Sequence, residues 1–253
     1  WPFTESHLSR QDESPDEEMY AEPRFVTHLD ESAIKALKEV YRSLFNAHIL
    51  RYGNPNHPAA SFTVLDLCSS WVSHFPSECL RFASRVTVHG LNAAELAANK
   101  QATECHVSNL NESPCLPWGG ETFDFVTMAA SVDYLVKPRE VFSEIHRVLK
   151  PGGVAVISFS NRCFISKAVK VWATDGGSID GPPQMHIVGN YFHFSPEGGW
   201  EGVSGLDLTP ERIDGCEDRD PMWVVTAVKK HDMGERESKS STRVKFVPQT
   251  PLE

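Results

Sequence analysis

Apolar residues recur along the chain with two different periods. Ala33, Ile34, Leu37, Val40, Tyr41, Leu44 and Phe45 fall at helical spacing behind Asp30-Glu31-Ser32, a sequence that suits a helix start. A linker rich in Pro, Asn and Gly follows at 51–60. Beyond it, short apolar runs alternate with helical patterns. The runs at 62–67, 85–89, 104–107, 122–128, 154–159, 200–208 and 222–228 read as strands. The segments 74–83, 93–99, 138–149 and 163–172 read as helices. Strand–helix alternation predicts an α/β fold, a mostly parallel sheet with helices on both faces. The last two strands have no long helix between them and are expected to pair antiparallel at one edge. Arg147 and Lys150 suit the negative end of the helix dipole. Lys150-Pro-Gly-Gly153 then turns the chain into the next strand, a structural rather than a catalytic feature.

The first strand organises the rest. Its apolar run 62–67 is broken by Asp66 and gives way to the small polar turn Cys68-Ser69-Ser70, with a helix expected to resume near Ser73 or His74. Open α/β sheets build their ligand crevice at such strand ends. Glycine usually shapes the turn, because it reaches positive φ and lets backbone approach a ligand. None is present at 68–70.

Charge and composition narrow the picture. A formal charge of −10 gives no broad basic face for nucleic acid, and no apolar run approaches the roughly 20 residues of a membrane span. Cys68, Cys79, Cys105, Cys115, Cys163 and Cys216 show no Cys-x-x-Cys spacing, which fits reduced thiols in a reducing compartment rather than a disulfide or metal framework. Residues 1–22 hold seven acidic side chains against Arg10 alone and lack apolar periodicity, so they are expected to form a mobile acidic tail. Residues 231–253 read as a second loose tail, in which 244–247 either adds a strand or docks on a partner. The domain proper is then 23–230, with 23–60 as an N-terminal lid helix and linker. The chain opens on Trp1, as expected of a processed or trimmed form.

Four ordered segments carry a resemblance: Val64-Leu-Asp-Leu-Cys-Ser-Ser70; His89-Gly-Leu-Asn92; Asn109 with Leu116-Pro-Trp118; and Phe123-Asp-Phe-Val126 running on to Val148-Leu-Lys-Pro-Gly-Gly153. Together they resemble the class I S-adenosylmethionine-dependent methyltransferases of the type 11 kind. Ser69–His74, Asn92-x-x-Glu95-Leu96 and Ser158–Cys163 are similar to a branch found in bacteria and plastid-bearing eukaryotes. The resemblance implies a seven-stranded Rossmann-like sheet, S-adenosylmethionine as cofactor, and a plastid stroma location. It implies that Asp66 faces the amino-acid end of the cofactor and that Cys68, Ser69 and Ser70 pass beneath its carboxylate. Asn92 stands where an acid binds both ribose hydroxyls. Asn109 stands where an aspartate takes the adenine amino group, with Leu110 as apolar contact and Ala129 beside the transferred methyl. The two amides replace part of that recognition.

Candidate chemistry comes from position. Methyl transfer needs alignment more than a catalytic triad. His74 fits two readings, a general base or a helix-start histidine bonded to backbone. Tyr134 either touches substrate or packs under the following helix. His28, Trp71, Ser131, Asn161 and Arg162 are placed toward the substrate; Arg162 suits either an anionic group or an internal salt bridge. His186, Tyr191 and His193 fall in an insertion, 173–196, expected to cover the substrate, and their spacing is not that of metal ligands. Asp207, Asp218 and Asp220 are expected to serve strand ends and turns, and 121–124 to be structural. No Walker loop or Gly-x-Ser-x-Gly elbow occurs. Two functions therefore stand at this level. One is methyl transfer to a small-molecule or protein-carried acceptor. The other is a scaffold subunit that keeps the fold without turnover and meets a protein partner through its tails.

Overall fold

The computed structural model describes residues 1–53, 61–173, 183–209 and 219–231. Two short helices open the chain, α1 (Glu5–Leu8) and α2 (Asp16–Met19), followed by the long α3 (Glu31–Tyr52). Asp30 caps α3 by accepting the Ala33 N–H at 2.8 Å. The succession continues as β1 (Phe62–Leu67), α4 (Ser77–Leu80), β2 (Ala83–Gly90), α5 (Ala93–Ala98), β3 (Glu104–Val107) and β4 (Phe123–Ala129). It ends with α6 (Pro138–Val148), β5 (Leu149–Phe159), α7 (Lys170–Ala173), α8 (Pro183–His193), β6 (Trp200–Asp207) and β7 (Trp223–Lys229).

The seven strands form one sheet in the order β3-β2-β1-β4-β5-β7-β6. The first five run parallel, and β7 runs antiparallel to both β5 and β6. The antiparallel strand thus stands one place in from the edge. Chain order reverses direction at β1, between β2 and β4, and there the carboxyl ends of neighbouring strands diverge into a crevice.

Two apolar layers hold the sheet. On one face α3 sets Leu37, Tyr41 and Phe45 against Phe62, Val64, Phe125 and Val156. On the other, α6 and α8 bury Val141, Phe142, Ile145, Tyr191 and Phe192 over Leu65, Val126 and Ile157. Each fully buried aromatic of this kind contributes about 1.5–3 kcal/mol. Asp124, in the segment expected to be structural, accepts the Thr63 N–H at 2.8 Å and the Lys150 ammonium at 2.8 Å.

Four expectations change. The helix expected at 74–83 shrinks to α4, because His74 adopts φ 58° and Pro76 precedes the first turn. The helix expected at 163–172 shrinks to α7. The chain before it is held by other partners: the Tyr134 hydroxyl accepts the Phe164 N–H, and the Ser166 carbonyl accepts the Asp12 N–H. The insertion at 173–196 carries α8, which packs on α6, β6 and β7 and contributes no wall to the crevice, so it does not cover a substrate there; residues 174–182 lie outside the described residues.

The acidic segment 1–22 is not a loose tail. Trp1 stacks on Tyr191 at 5.8 Å, and Phe3 meets the same ring edge-on. Asp16 is buried with Arg10 at 2.5 Å, and the buried Lys167 ammonium donates to the Ser14 carbonyl at 2.6 Å. Composition registered the surplus of acid but not the remote cation and amides that receive it. The second expected tail, from 232 onward, lies outside the described residues, as do Cys216 and Asp218.

Candidate functional site: a crevice at the carboxyl ends of β1, β2 and β4

A cavity of about 800 Å³ opens where β1, β2 and β4 end. That is within the size range of small-molecule and cofactor sites. The floor is the turn after β1. Cys68 sits there at φ 51°, the left-handed conformation that a glycine would adopt freely. Side-chain hydrogen bonds brace the residues on either side of it. Asp66 accepts from the Ser69 hydroxyl at 2.7 Å and from Thr127 at 2.6 Å. Ser70 donates to Glu95 at 2.5 Å, while Asn99 donates to the Ser70 carbonyl and to the Ser73 hydroxyl. The glycine that the turn lacks is supplied from across the sheet. A Cβ on Gly90 would lie 2.4 Å from the Ser69 carbonyl oxygen, so only glycine at 90 lets the turn sit this close to β2.

Burial tunes the ionisable groups. Asp66 is pushed up to about 6, its hydrogen bonds only partly offsetting the loss of water. The Cys68 thiol is pushed up to about 12 by burial and then by Asp66, so it is neutral and a poor nucleophile. Burial, then Lys38, lowers His74 to about 4. Burial, then His106, lowers His89 to about 4, and its Nε2 lies 2.8 Å from the Ser108 hydroxyl. Both imidazoles are neutral at physiological pH.

Asn92 caps α5, its carbonyl accepting from Ala94 and Glu95 N–H groups and its amide donating to the Tyr20 and Ala21 carbonyls. All its hydrogen-bonding capacity is spent within the protein. Asn109 accepts the Asn111 N–H and donates to Glu17 at 2.8 Å, which leaves one lone pair and one N–H. Leu110 is buried beside it.

At the other end, Ala129 finishes β4 and Ala130 turns at φ 49°. The Ser131 hydroxyl donates to the Ala129 carbonyl at 3.0 Å. The hydroxyl of Tyr134 accepts the Phe164 N–H at 2.8 Å, which pins the segment after β5. Arg162 donates to Asp220 at 2.5 Å, so of its two readings the structure shows the internal salt bridge. His28 meets the Phe164 ring edge-on at 5.7 Å. Trp71 turns its indole N–H onto the Val26 carbonyl at 3.1 Å, and the cavity stays open beside it.

His74, Tyr134, Asp66, Cys68, Ser69, Ser70, Asn92, Asn109, Leu110, Ala129, His28, Trp71, Ser131, Asn161 and Arg162, which the sequence pointed to for catalysis, cofactor or substrate, all line this one cavity, whereas His186, Tyr191 and His193, expected in a substrate cover, do not. Sequence reasoning missed Asp16, Tyr20, Arg24, Glu95, Asn111 and Lys167, which line it too. Only Glu95 left a local trace, at the third position of a helix opened by Asn92. Among the described residues no group of three His, Cys, Asp or Glu side chains could hold a metal ion, and no helix is long and apolar enough to cross a membrane.

Strand order, the antiparallel β7 and a crevice at the β1 switch point are those of the class I S-adenosylmethionine-dependent methyltransferase fold, and the chain has that fold. Residues 72–157 match the family model described as a methyltransferase domain. The chain is 31% identical over 94 residues to a ubiquinone/menaquinone biosynthesis C-methyltransferase of Geotalea daltonii, covering 34% of this chain and 40% of that protein. It is 32% identical over 88 residues to the protein of the same name from a Ruegeria species, covering 34% of each. The match spans less than half the length of either curated relative. An S-adenosylmethionine-dependent methyltransferase from Mesorhizobium loti shares the fold with a TM-score of 0.50 at 16% identity, over 77% of this chain and 98% of that one.

Proposed function

We propose that the protein transfers a methyl group from S-adenosylmethionine to a small-molecule acceptor or to one carried on another protein. The observation that carries this reading is the braced turn 68–70 beneath a cavity at the switch point, with Gly90 keeping it against β2. The chemistry present fits such a ligand: a polar floor at Ser69 and Ser70, an apolar side at Leu110, and the unspent lone pair and N–H of Asn109. When bound, the cofactor supplies a methyl carbon activated by its sulfonium sulfur.

The remaining work falls to the chain. The turn 68–70 would hold the amino-acid end, with Asp66 fixing the Ser69 hydroxyl. Asn109 and Leu110 would hold the base. Ala129, Ala130 and Ser131 shape the place where the acceptor meets the methyl, and Tyr134 keeps the segment after β5 in position. His74, neutral across the physiological range, is available to take a proton from an acceptor hydroxyl or amine. Its lowered basicity limits the driving force for that transfer. Oxygen, nitrogen, sulfur and carbon are all acceptor atoms to screen, and the names of the two curated relatives put carbon first.

One observation favours the scaffold reading. The Ser69 and Ser70 hydroxyl protons and the whole Asn92 amide are spent on internal hydrogen bonds, which leaves the two hydroxyls only as acceptors. Titration calorimetry with S-adenosylmethionine and S-adenosylhomocysteine separates the two. Binding in the micromolar range supports the enzyme; no heat at high micromolar ligand, with a folded sample, leaves the scaffold.

A further inference from the structure

Residues 10–24 cross the crevice as a single strip. At one end the Asp16 carboxylate is buried between Arg10 and Lys167. At the other the Arg24 N–H reaches Glu95 at 2.7 Å and its guanidinium lies 5.3 Å over Phe164. Between these ends the strip is held by the residues that come after β2 and β3. Asn92 donates to the Tyr20 carbonyl, Asn109 to the Glu17 carboxylate, and Asn111 to the Asp16 carboxylate at 2.9 Å.

The division of labour in the two amides is informative. Each uses its carbonyl oxygen on nearby backbone N–H groups and its NH₂ on the strip. A carboxylate can do the first and not the second, having no hydrogen to give. At 109 it would also face Glu17 as a like charge. The amides at positions where the resemblance leads one to expect acids are therefore accounted for by the strip they hold.

We propose that Asn92 and Asn109 are docking groups for a cover formed by residues 10–24, and that this cover closes over the nucleoside end of the ligand and places the Tyr20 side chain against it. The proposal rests on the reading of the crevice as an S-adenosylmethionine site. Tyr20 lines the cavity and faces Cys68, Asp133 and Asp16 electrostatically. Burial and then those groups hold its phenol well above the usual range, so it is a neutral hydrogen-bond donor. It provides on the cover a polar group for the ligand where the spent Asn92 amide provides none. Ligand exchange then requires the strip to undock, and binding stabilises the docked form.

Hydrogen exchange of the whole 253-residue chain, with S-adenosylhomocysteine as probe, tests this. In the ligand-free protein, Asn109→Asp should raise exchange across 10–24. Adding Glu17→Gln to that variant should restore protection, because a glutamine amide can donate to the new carboxylate. In the unaltered chain the probe should protect 10–24 further. Asn109→Asp should weaken its binding by about fivefold, the loss of one hydrogen bond. The proposal is overturned if Asn109→Asp leaves exchange at 10–24 unchanged, or if the probe binds without altering that exchange. If neither the unaltered chain nor the double variant binds the probe, the cofactor reading fails and the cover fails with it. That result differs from failure of the cover alone, in which binding persists.

Discussion

At the scale of single residues, the crevice depends on a few positions where space or charge allows little choice. Gly90 is the sharpest. A methyl group there would meet the Ser69 carbonyl at 2.4 Å, and that contact is backbone, which cannot swing aside. Gly90→Ala is expected to push the turn off β2, costing about 1–3 kcal/mol as overpacking does. It should also lower affinity for S-adenosylhomocysteine at least tenfold; a melting curve and a calorimetric titration check the two effects. Asp133 makes a pH prediction. Burial raises its carboxyl to about 7, so between about pH 4 and 7 the folded state holds a proton that the unfolded state has lost, and stability declines as pH rises. Asp133→Asn removes that slope. The variant should gain stability relative to the unaltered chain on going from pH 5 to pH 8, measured by denaturant unfolding at each pH. A constant difference between the two would show that the group is not perturbed.

At the scale of elements, the turn after β1 and the strip 10–24 share one brace. Glu95, on the first turn of α5, accepts from the Ser70 hydroxyl on one side and from the Arg24 N–H on the other. Glu95→Ala is therefore expected to loosen both at once, seen as faster hydrogen exchange in 68–73 and in 10–24; faster exchange in only one segment would uncouple them. Asp16 is one anchor of the strip and takes no part in the turn. Asp16→Ala leaves Arg10 and Lys167 buried without the acid between them, a change expected to cost about 3–5 kcal/mol or to be relieved by release of the strip. Limited proteolysis within 10–24 distinguishes release from global destabilisation.

At the scale of the whole molecule, α3 on one face and α6 with α8 on the other fix the sheet, and the crevice is the part left open at one end of it. A ligand that binds only the folded chain stabilises it by mass action, about 2.7 kcal/mol at a hundred times Kd. For a domain of this size that corresponds to a melting temperature higher by about 5–10 °C. S-adenosylhomocysteine should produce such a shift, and adenosine alone a smaller one. Equal shifts with both would mean that the turn at 68–70 does not hold the amino-acid end.

The sequence by itself determined the seven strands and the helices α3, α5 and α6, because these are written in contacts a few residues apart. The period of Leu37, Tyr41 and Phe45 makes α3, and Asp30 starts it. The run 62–67 makes β1 and delivers Asp66 to the crevice. Tertiary structure alone decided how a turn without glycine is shaped and why an acidic segment is ordered. The turn is fitted by Gly90 on another strand and braced by Glu95 and Asn99. Asp16 and Glu17 are received by Lys167, Asn109 and Asn111, far along the chain. Close approach and charge pairing are set by distance in space, and neither local period nor composition records which remote residues will meet.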